Sequence, residues 1–319
     1  MTRFTDVPMT GELLALGAML MFATNILVTK AASSRLGVGT GFVISVTVNL
    51  LFAMLVFAVQ LVLRREMLRW DVTGMLLFML AGACSTYLGR WFFFEAIARL
   101  GPATASLFHV SSPAFTVIVA WMFLGEALPL PTLLAVVATI VGLFLVSTPS
   151  GVLRTGLVSS SKASSVANSA RLKAWLASGF AVGIGATLAY SVGNVLRGAS
   201  VRQWNEPVAG ALLGAVAALA LHFAIGSGHR TLVRDLIAAD RTGVRLYALG
   251  GVLTISAQMC MIASMRHIPV AVATVITLCT PLVVIPASYW LMKNQERIGP
   301  ATLIGAAITM AGVVAIVWR

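Results

Sequence analysis

Charge is scarce in this sequence, and the scarcity excludes whole classes of function. Only 10% of the 319 residues are charged, where an average soluble protein has about 25%. Acidic residues are scarcer still, ten against 22 Lys and Arg. Three cysteines, Cys84, Cys260 and Cys279, fall within apolar runs with no C-x-x-C pair, which points to small core residues rather than disulfides or a thiolate metal site. Four histidines with no H-E-x-x-H, and almost no carboxylate inside an apolar run, leave no acid/base or metal set for a membrane-embedded enzyme. The ATP-binding loop G-x-x-x-x-G-K-[ST] is missing too, so this chain does not pump by hydrolysing ATP, and no cofactor is expected.

What fills the chain is apolar. Hydrophobic residues make up 59% and the mean hydropathy is +0.96, which predicts an all-α integral membrane protein. The apolar runs are continuous rather than alternating, and roughly 20 residues cross the hydrocarbon, so the spans read as helices and not barrel strands. The formal charge of +12 does not point to nucleic acid, because Lys and Arg are scattered over short loops with no basic domain or interleaved aromatic motif. Topology and lipid headgroups account for it. Arg3 precedes the first apolar run with no small-residue cleavage site, so that run reads as a membrane helix rather than a signal peptide.

Hydropathy and punctuation predict ten transmembrane helices. The first five cover about 11–29, 41–63, 72–98, 103–124 and 131–146, and the next five lie near 174–197, 207–226, 244–265, 270–292 and 300–318. Residues 149–173 are polar and rich in Ser and Ala and read as a linker, so 1–148 and 174–319 form two five-helix halves. The halves echo each other. Arg99, Pro102 and Pro113 match Arg266, Pro269 and Pro281 within one residue, while Glu126, Thr139 and Gly142 match Glu296, Thr309 and Gly312. An odd number of helices per repeat turns the second upside down, the inverted-repeat plan of many secondary transporters, with substrate near the midplane. Gly179-x-x-x-Gly183 and Gly210-x-x-x-Gly214 mark close helix packing.

Three stretches carry a further likeness: AIARLGPATAS at 96–106, VIVAWMFLGEAL at 117–128 and TLLAVVATIVGLFLV at 132–146. They recur less cleanly in the second half, where LMKNQERIGP has Asn294, Gln295 and Glu296 in place of the usual Gly-Glu. Over nearly the whole chain this resembles the EamA family of the drug/metabolite transporter superfamily. The resemblance implies ten helices, alternating access, cytoplasmic termini in the cell (inner) membrane, and often export of amino acids or other small metabolites. The repeated Arg99, Pro102, Pro113, Glu126, Arg266, Pro269, Pro281 and Glu296 are read as scaffold.

Charges inside spans are the sharpest clue to chemistry, since each costs roughly 2.5–3.5 kcal/mol to insert and so faces a cavity or a partner. Residues 87–113 carry Arg90, Glu95 and His109. Glu95 sits about 140° around the helix from Arg90 at ~100° per residue, but four residues before Arg99, the favourable order for a helical ion pair. Proton carriage is its second reading. Arg90 is then left with two roles. Either it snorkels, stacks on Tyr87 or donates to free carbonyls, or its planar fork holds a substrate carboxylate or phosphate. The lack of a repeated charge favours the second, because the matching place in the other half is near Ala257 and Gln258. Pro113 should kink its helix and free the carbonyl of His109, as Pro281 frees that of Thr277. His109, Ser112, Thr116 and Thr277 would then line a path, with His109 divided between helix contact and substrate or proton ligand. Asn25, Tyr190 and Asn194 are cavity candidates, whereas Arg197, near its predicted helix end, is expected to snorkel.

These readings converge on a secondary transporter, an exporter of small metabolites such as amino acids or related organic anions. Arg90 anchors the anion, and Tyr87, His109, Asn25, Tyr190, Asn194, Thr277 and Gln258 shape the cavity. The alternative is a facilitative exchanger or importer of a phosphorylated or nucleotide-like metabolite. Coupling to protons would rest on Glu95 or His109. The lipid bilayer and a small-molecule substrate are the expected partners, nucleic acid is not, and a homodimer is left open. Loop charge opposes cytoplasmic termini, which would put Arg154, Lys162, Arg171 and Lys173 of the linker outside, together with Arg230, Arg234, Arg241 and Arg245.

Overall fold

The computed structural model of the protein describes residues 9–64, 68–100, 108–109, 111–147, 179–225, 240–280, 282–284, 286–287 and 300–317, and among these it is all helical. In chain order the helices are α1 (Thr10–Ser33), α2 (Val38–Leu63), α3 (Val72–Ala81), a π-helical stretch (Gly82–Gly89) leading directly into α4 (Arg90–Leu100), α5 (Ser112–Leu124) and α6 (Leu130–Ser147). They continue as α7 (Gly179–Gln203), α8 (Pro207–Ile225), α9 (Arg241–Ser264), α10 (Val270–Leu278) and α11 (Pro300–Val317). Among the described residues five runs are long and apolar enough to cross a bilayer: α1, α2, the run Val72–Phe93, α8 and α9. The 25-residue α7 is as long but more polar, with Arg197 and Arg202 near its end. Outward faces stay apolar: Leu55, Val62, Trp121, Met122 and Phe123 are all exposed, a belt suited to hydrocarbon and not to water.

Small residues set the crossings, and the crossings are reciprocal. α1 lies antiparallel along α9, with Gly11 against His267 and Ile268 and Gly250 against Asn25. α7 lies in the same way along the run from α3 to α4, with Gly185 against Phe92, Gly89 against Tyr190, Gly193 against Ser85 and Gly74 against Trp204. α6 and α11 pack on each other: a methyl on Gly142 would overlap Thr309, and one on Gly312 would overlap Thr139. The first helix of each half thus packs on the third run of the other, and the two last helices face each other. Both G-x-x-x-G pairs serve such contacts, since Gly183 meets Phe108, Gly210 meets Phe78 and Gly214 meets the backbone of Gly82.

At the end where α2 stops and α8 begins, polar contacts tie the halves together. Arg64 Nη2 donates to Glu206 Oε1 at 2.6 Å, and the Trp204 indole N–H donates to the Arg69 carbonyl at 2.7 Å. Gly125, at φ 63°, ends α5 in the left-handed turn that only glycine adopts cheaply, and Glu126 follows it. The Glu126 carboxylate pairs with Arg202 and accepts from the N–H of Val270 at 3.1 and 3.2 Å, a negative charge on the N-terminus of α10. Pro269 precedes that first helical residue, and Arg266 lies exposed in the turn after α9.

Candidate functional site

The crossings leave an interior cavity of about 250 Å³ walled by both halves. Asn25 comes from α1, Ser85, Thr86 and Arg90 from the π stretch and the start of α4, and His109 and Ser112 from the break before α5. The second half supplies Tyr190, Asn194 and Arg197 from α7, Thr254 and Gln258 from α9, and Thr277 from α10. Among the described residues no carboxylate lines this space. A smaller recess of about 130 Å³ shares Asn25, Arg90 and Thr254 with it and continues between Phe42 and Tyr247.

Two guanidiniums face the cavity. Arg90 places its Cζ 5.0 Å from the centre of the Phe42 ring, a cation–π seat, and it interacts with the Tyr190 hydroxyl. Tyr87, the stacking partner expected from spacing, is not on the cavity wall. The cause is the π stretch, which changes which side chains face inward from this run. Arg197 does not snorkel. α7 continues to Gln203, so the side chain is only 8% exposed, and it donates to Asn194 Oδ1 at 3.1 Å and to Thr86 Oγ1 and Gln258 Oε1, each at 3.3 Å. The signal that could have found it was on α7 itself: Asn194 lies one turn before Arg197, so an amide oxygen was already at hand.

Pro113 opens α5 as its second residue, so the expected kink is a break in the helix. The turn before α5 and the first residue of α5 are bonded to α7. Thr187 Oγ1 donates to the Phe108 carbonyl at 2.8 Å, and Ser191 Oγ, one turn on, donates to that of Ser112 at 2.9 Å. The His109 ring stands between those of Tyr190, 4.7 Å away, and Phe93, 5.3 Å away. His109 Nδ1 and Ser112 Oγ are buried with no hydrogen-bond partner among the described residues. The Thr116 and Thr277 hydroxyls bond back to their own helices, at 3.0 Å to Ser112 and 2.6 Å to Ala273, the bland role open to such residues. Thr277 nonetheless lines the cavity and Thr116 does not.

Seven of the expected residues therefore meet at one cavity: Arg90, His109, Asn25, Tyr190, Asn194, Thr277 and Gln258. Glu95 lies on α4 away from the wall. The Arg99 side chain, Pro102, Pro281, Glu296 and the linker 149–173 lie outside the described residues.

A family model described as the EamA-like transporter family matches residues 9–148 and again 177–318. The chain belongs to that family. As an EamA-like protein it is a multi-pass membrane transporter of small molecules. No curated protein matches the chain. Its fold is similar to a solved structure described only as "Crystal structure of protein", with a TM-score of 0.67 over 96% of this chain and 97% of that one at 16% identity. At that identity the likeness shows the fold alone.

Proposed function

We propose that this EamA-like protein is a secondary transporter that exports small organic anions by alternating access between two inverted five-helix halves, with its termini in the cytoplasm. The carrying observation is a cavity that holds Arg90 and Arg197 and, among the described residues, no carboxylate. A guanidinium taken out of water is costly, and amide and hydroxyl oxygens offset only part of the loss. An anionic substrate supplies the rest through charge-assisted, bidentate hydrogen bonds. Of the two substrate kinds the sequence suggests, the wall favours organic anions over amino acids, since none of its described residues is a carboxylate that could receive an ammonium group.

Reciprocal, antiparallel packing of α6 on α11 supports the inversion, because a two-fold relating antiparallel helices lies across them, in the plane of the bilayer. The Arg64–Glu206 and Arg202–Glu126 pairs between halves support alternating access: they close one end, while the recess past Phe42 and Tyr247 leads toward the other. With Glu95 off the wall, His109 is the remaining candidate for proton coupling, and exchange of one anion for another needs neither.

Reconstituted vesicles test the anchor. Arg90→Gln should lower uptake of labelled lactate, succinate and glycerol 3-phosphate by about 10- to 100-fold, the worth of a charge-assisted hydrogen bond, with Arg90→Lys falling between. Wild-type rates in Arg90→Gln protein would sink the anchor role. Absence of transport of all three anions by the wild type would sink the substrate class.

A further inference from the structure

The geometry points to a dianion as the substrate, with Arg90 and Arg197 either taking one anionic group each or sharing a single phosphate. This rests on the anion-transport reading above and narrows it. The two guanidiniums come from opposite halves and line one cavity together with Tyr190, whose hydroxyl interacts with Arg90. Arg197 is held in place by protein alone, through three hydrogen bonds to Asn194, Thr86 and Gln258, all neutral oxygens. Of the five N–H groups of a guanidinium, that leaves two to offer a ligand. Arg90 is held by the Phe42 ring face, which takes up no N–H donor, and by the Tyr190 hydroxyl, which takes up at least one.

The charge count then decides the class. A monocarboxylate would leave one of the two cations unmatched inside a space of about 250 Å³, with no carboxylate among the described wall residues to serve instead. A dianion leaves none. The volume lies below the ~300–1,000 Å³ of pockets for drug-sized ligands, which restricts the substrate to a few carbons and argues against a nucleotide. A short dicarboxylate and a small phosphate monoester share this chemistry. Asn25, Ser85 and Thr254 on the same wall suit hydroxyl groups on either.

The test uses the full-length protein in proteoliposomes above neutral pH, where a phosphate monoester carries close to two charges. Labelled succinate and glycerol 3-phosphate are compared with labelled lactate in the same preparation. In the wild type at least one dianion should move about tenfold or more faster than lactate, and which one moves identifies the anionic group. Arg197→Gln should bring that ratio close to one. Arg197→Lys, which keeps the charge, should hold the ratio nearer the wild type. A ratio within one preparation does not depend on how much protein is folded. Should Arg197→Gln carry nothing at all, Thr86→Val, which loosens Arg197 without removing it, must lower the ratio. The inference is overturned if lactate moves as fast as both dianions, or if neither Arg197→Gln nor Thr86→Val changes the ratio. In those cases anion transport itself stands. If no anion moves, the transport reading falls and this inference with it.

Discussion

Two helical runs occupy equivalent places in the halves of this transporter, the run from α3 to α4 and the helix α9. Both open on the same cap, Asp71-Val-Thr-Gly74 in one and Asp240-Arg-Thr-Gly243 in the other, and each Asp accepts from its Gly N–H, at 2.6 and 3.0 Å. Both lie along the first helix of the opposite half. From there they diverge. Asp71 and Arg99 are 28 residues apart, whereas Asp240 and Arg266 are 26 apart. The surplus falls where the first run turns π-helical, from Gly82 to Gly89, while α9 stays α-helical throughout. A π turn absorbs extra residues without ending a helix, and it recurs at functional sites. Here it contributes Ser85 and Thr86 to the wall just ahead of Arg90; the opposite run contributes Thr254 and Gln258. The scaffold is duplicated and the charge is not.

The strongest way to test that division is to attack the duplicated part. A side chain at Gly82 would strike the α8 backbone at Gly214, and one at Gly251 would lie 2.7 Å from the Ser45 carbonyl of α2. Backbone cannot step aside as a side chain can, so Gly82→Val and Gly251→Val should both reach or pass the ~1–3 kcal/mol typical of overpacking. Each should yield little monodisperse protein on gel filtration in detergent. A normal yield from either one would show that the halves do not share this frame.

The next test moves the charge. In the double variant Arg90→Gln with Gln258→Arg, the new guanidinium replaces an oxygen that accepts from Arg197 at 3.3 Å, and so sets two cations side by side. Transport should stay about 100-fold down, because like charges in a low-dielectric site repel strongly. Recovery to wild-type rates would mean that either half can carry the anchor. Deleting Ala83 and Cys84 is a milder change, which gives the first run the same Asp-to-Arg spacing as the run of α9. The run should close as a continuous α-helix, the protein should fold, and transport should fall by about tenfold as Thr86 loses its register with Arg197. An unaltered rate would leave the π stretch without a role in the site.

How far these features were legible in the sequence depends on what each one needed. Composition and run length reveal helices because hydropathy is a sum over many residues, and matched pairs such as Thr139/Thr309 and Gly142/Gly312 reveal the halves because the same contact is made twice. Arg90 stood out because the matching place in the other half, near Ala257 and Gln258, carries no charge. Tyr87 was misplaced for a single reason: counting 100° per residue assumes an α-helix, and the two-residue surplus that breaks the count shows only when the Asp caps are aligned. Arg197 was missed because its burial depends on where α7 ends and on Thr86 and Gln258, which lie far away in sequence. Spacing also told nothing of how Thr187 and Ser191 reach the carbonyls of Phe108 and Ser112, since that is a contact across 79 residues.

The smallest expected effect separates the two caps. Asp240 sits exposed at the head of α9, where the Gly243 N–H above all, with help from Arg35 at 3.6 Å, holds its carboxyl below the usual aspartate range. A depressed folded pKa contributes stability that is fully present above the ordinary value of about 4 and is lost as pH falls through the folded value. Asp240→Asn keeps a capping oxygen and removes the charge. Its melting temperature should therefore sit slightly below that of the wild type at neutral pH, and the gap should close on acidification. Added salt should narrow the gap as well, because the Arg35 partner is exposed and screened. A gap that stays constant from neutral to acid pH would show that the carboxylate charge does nothing for α9, and that the two caps differ only in the residues they precede.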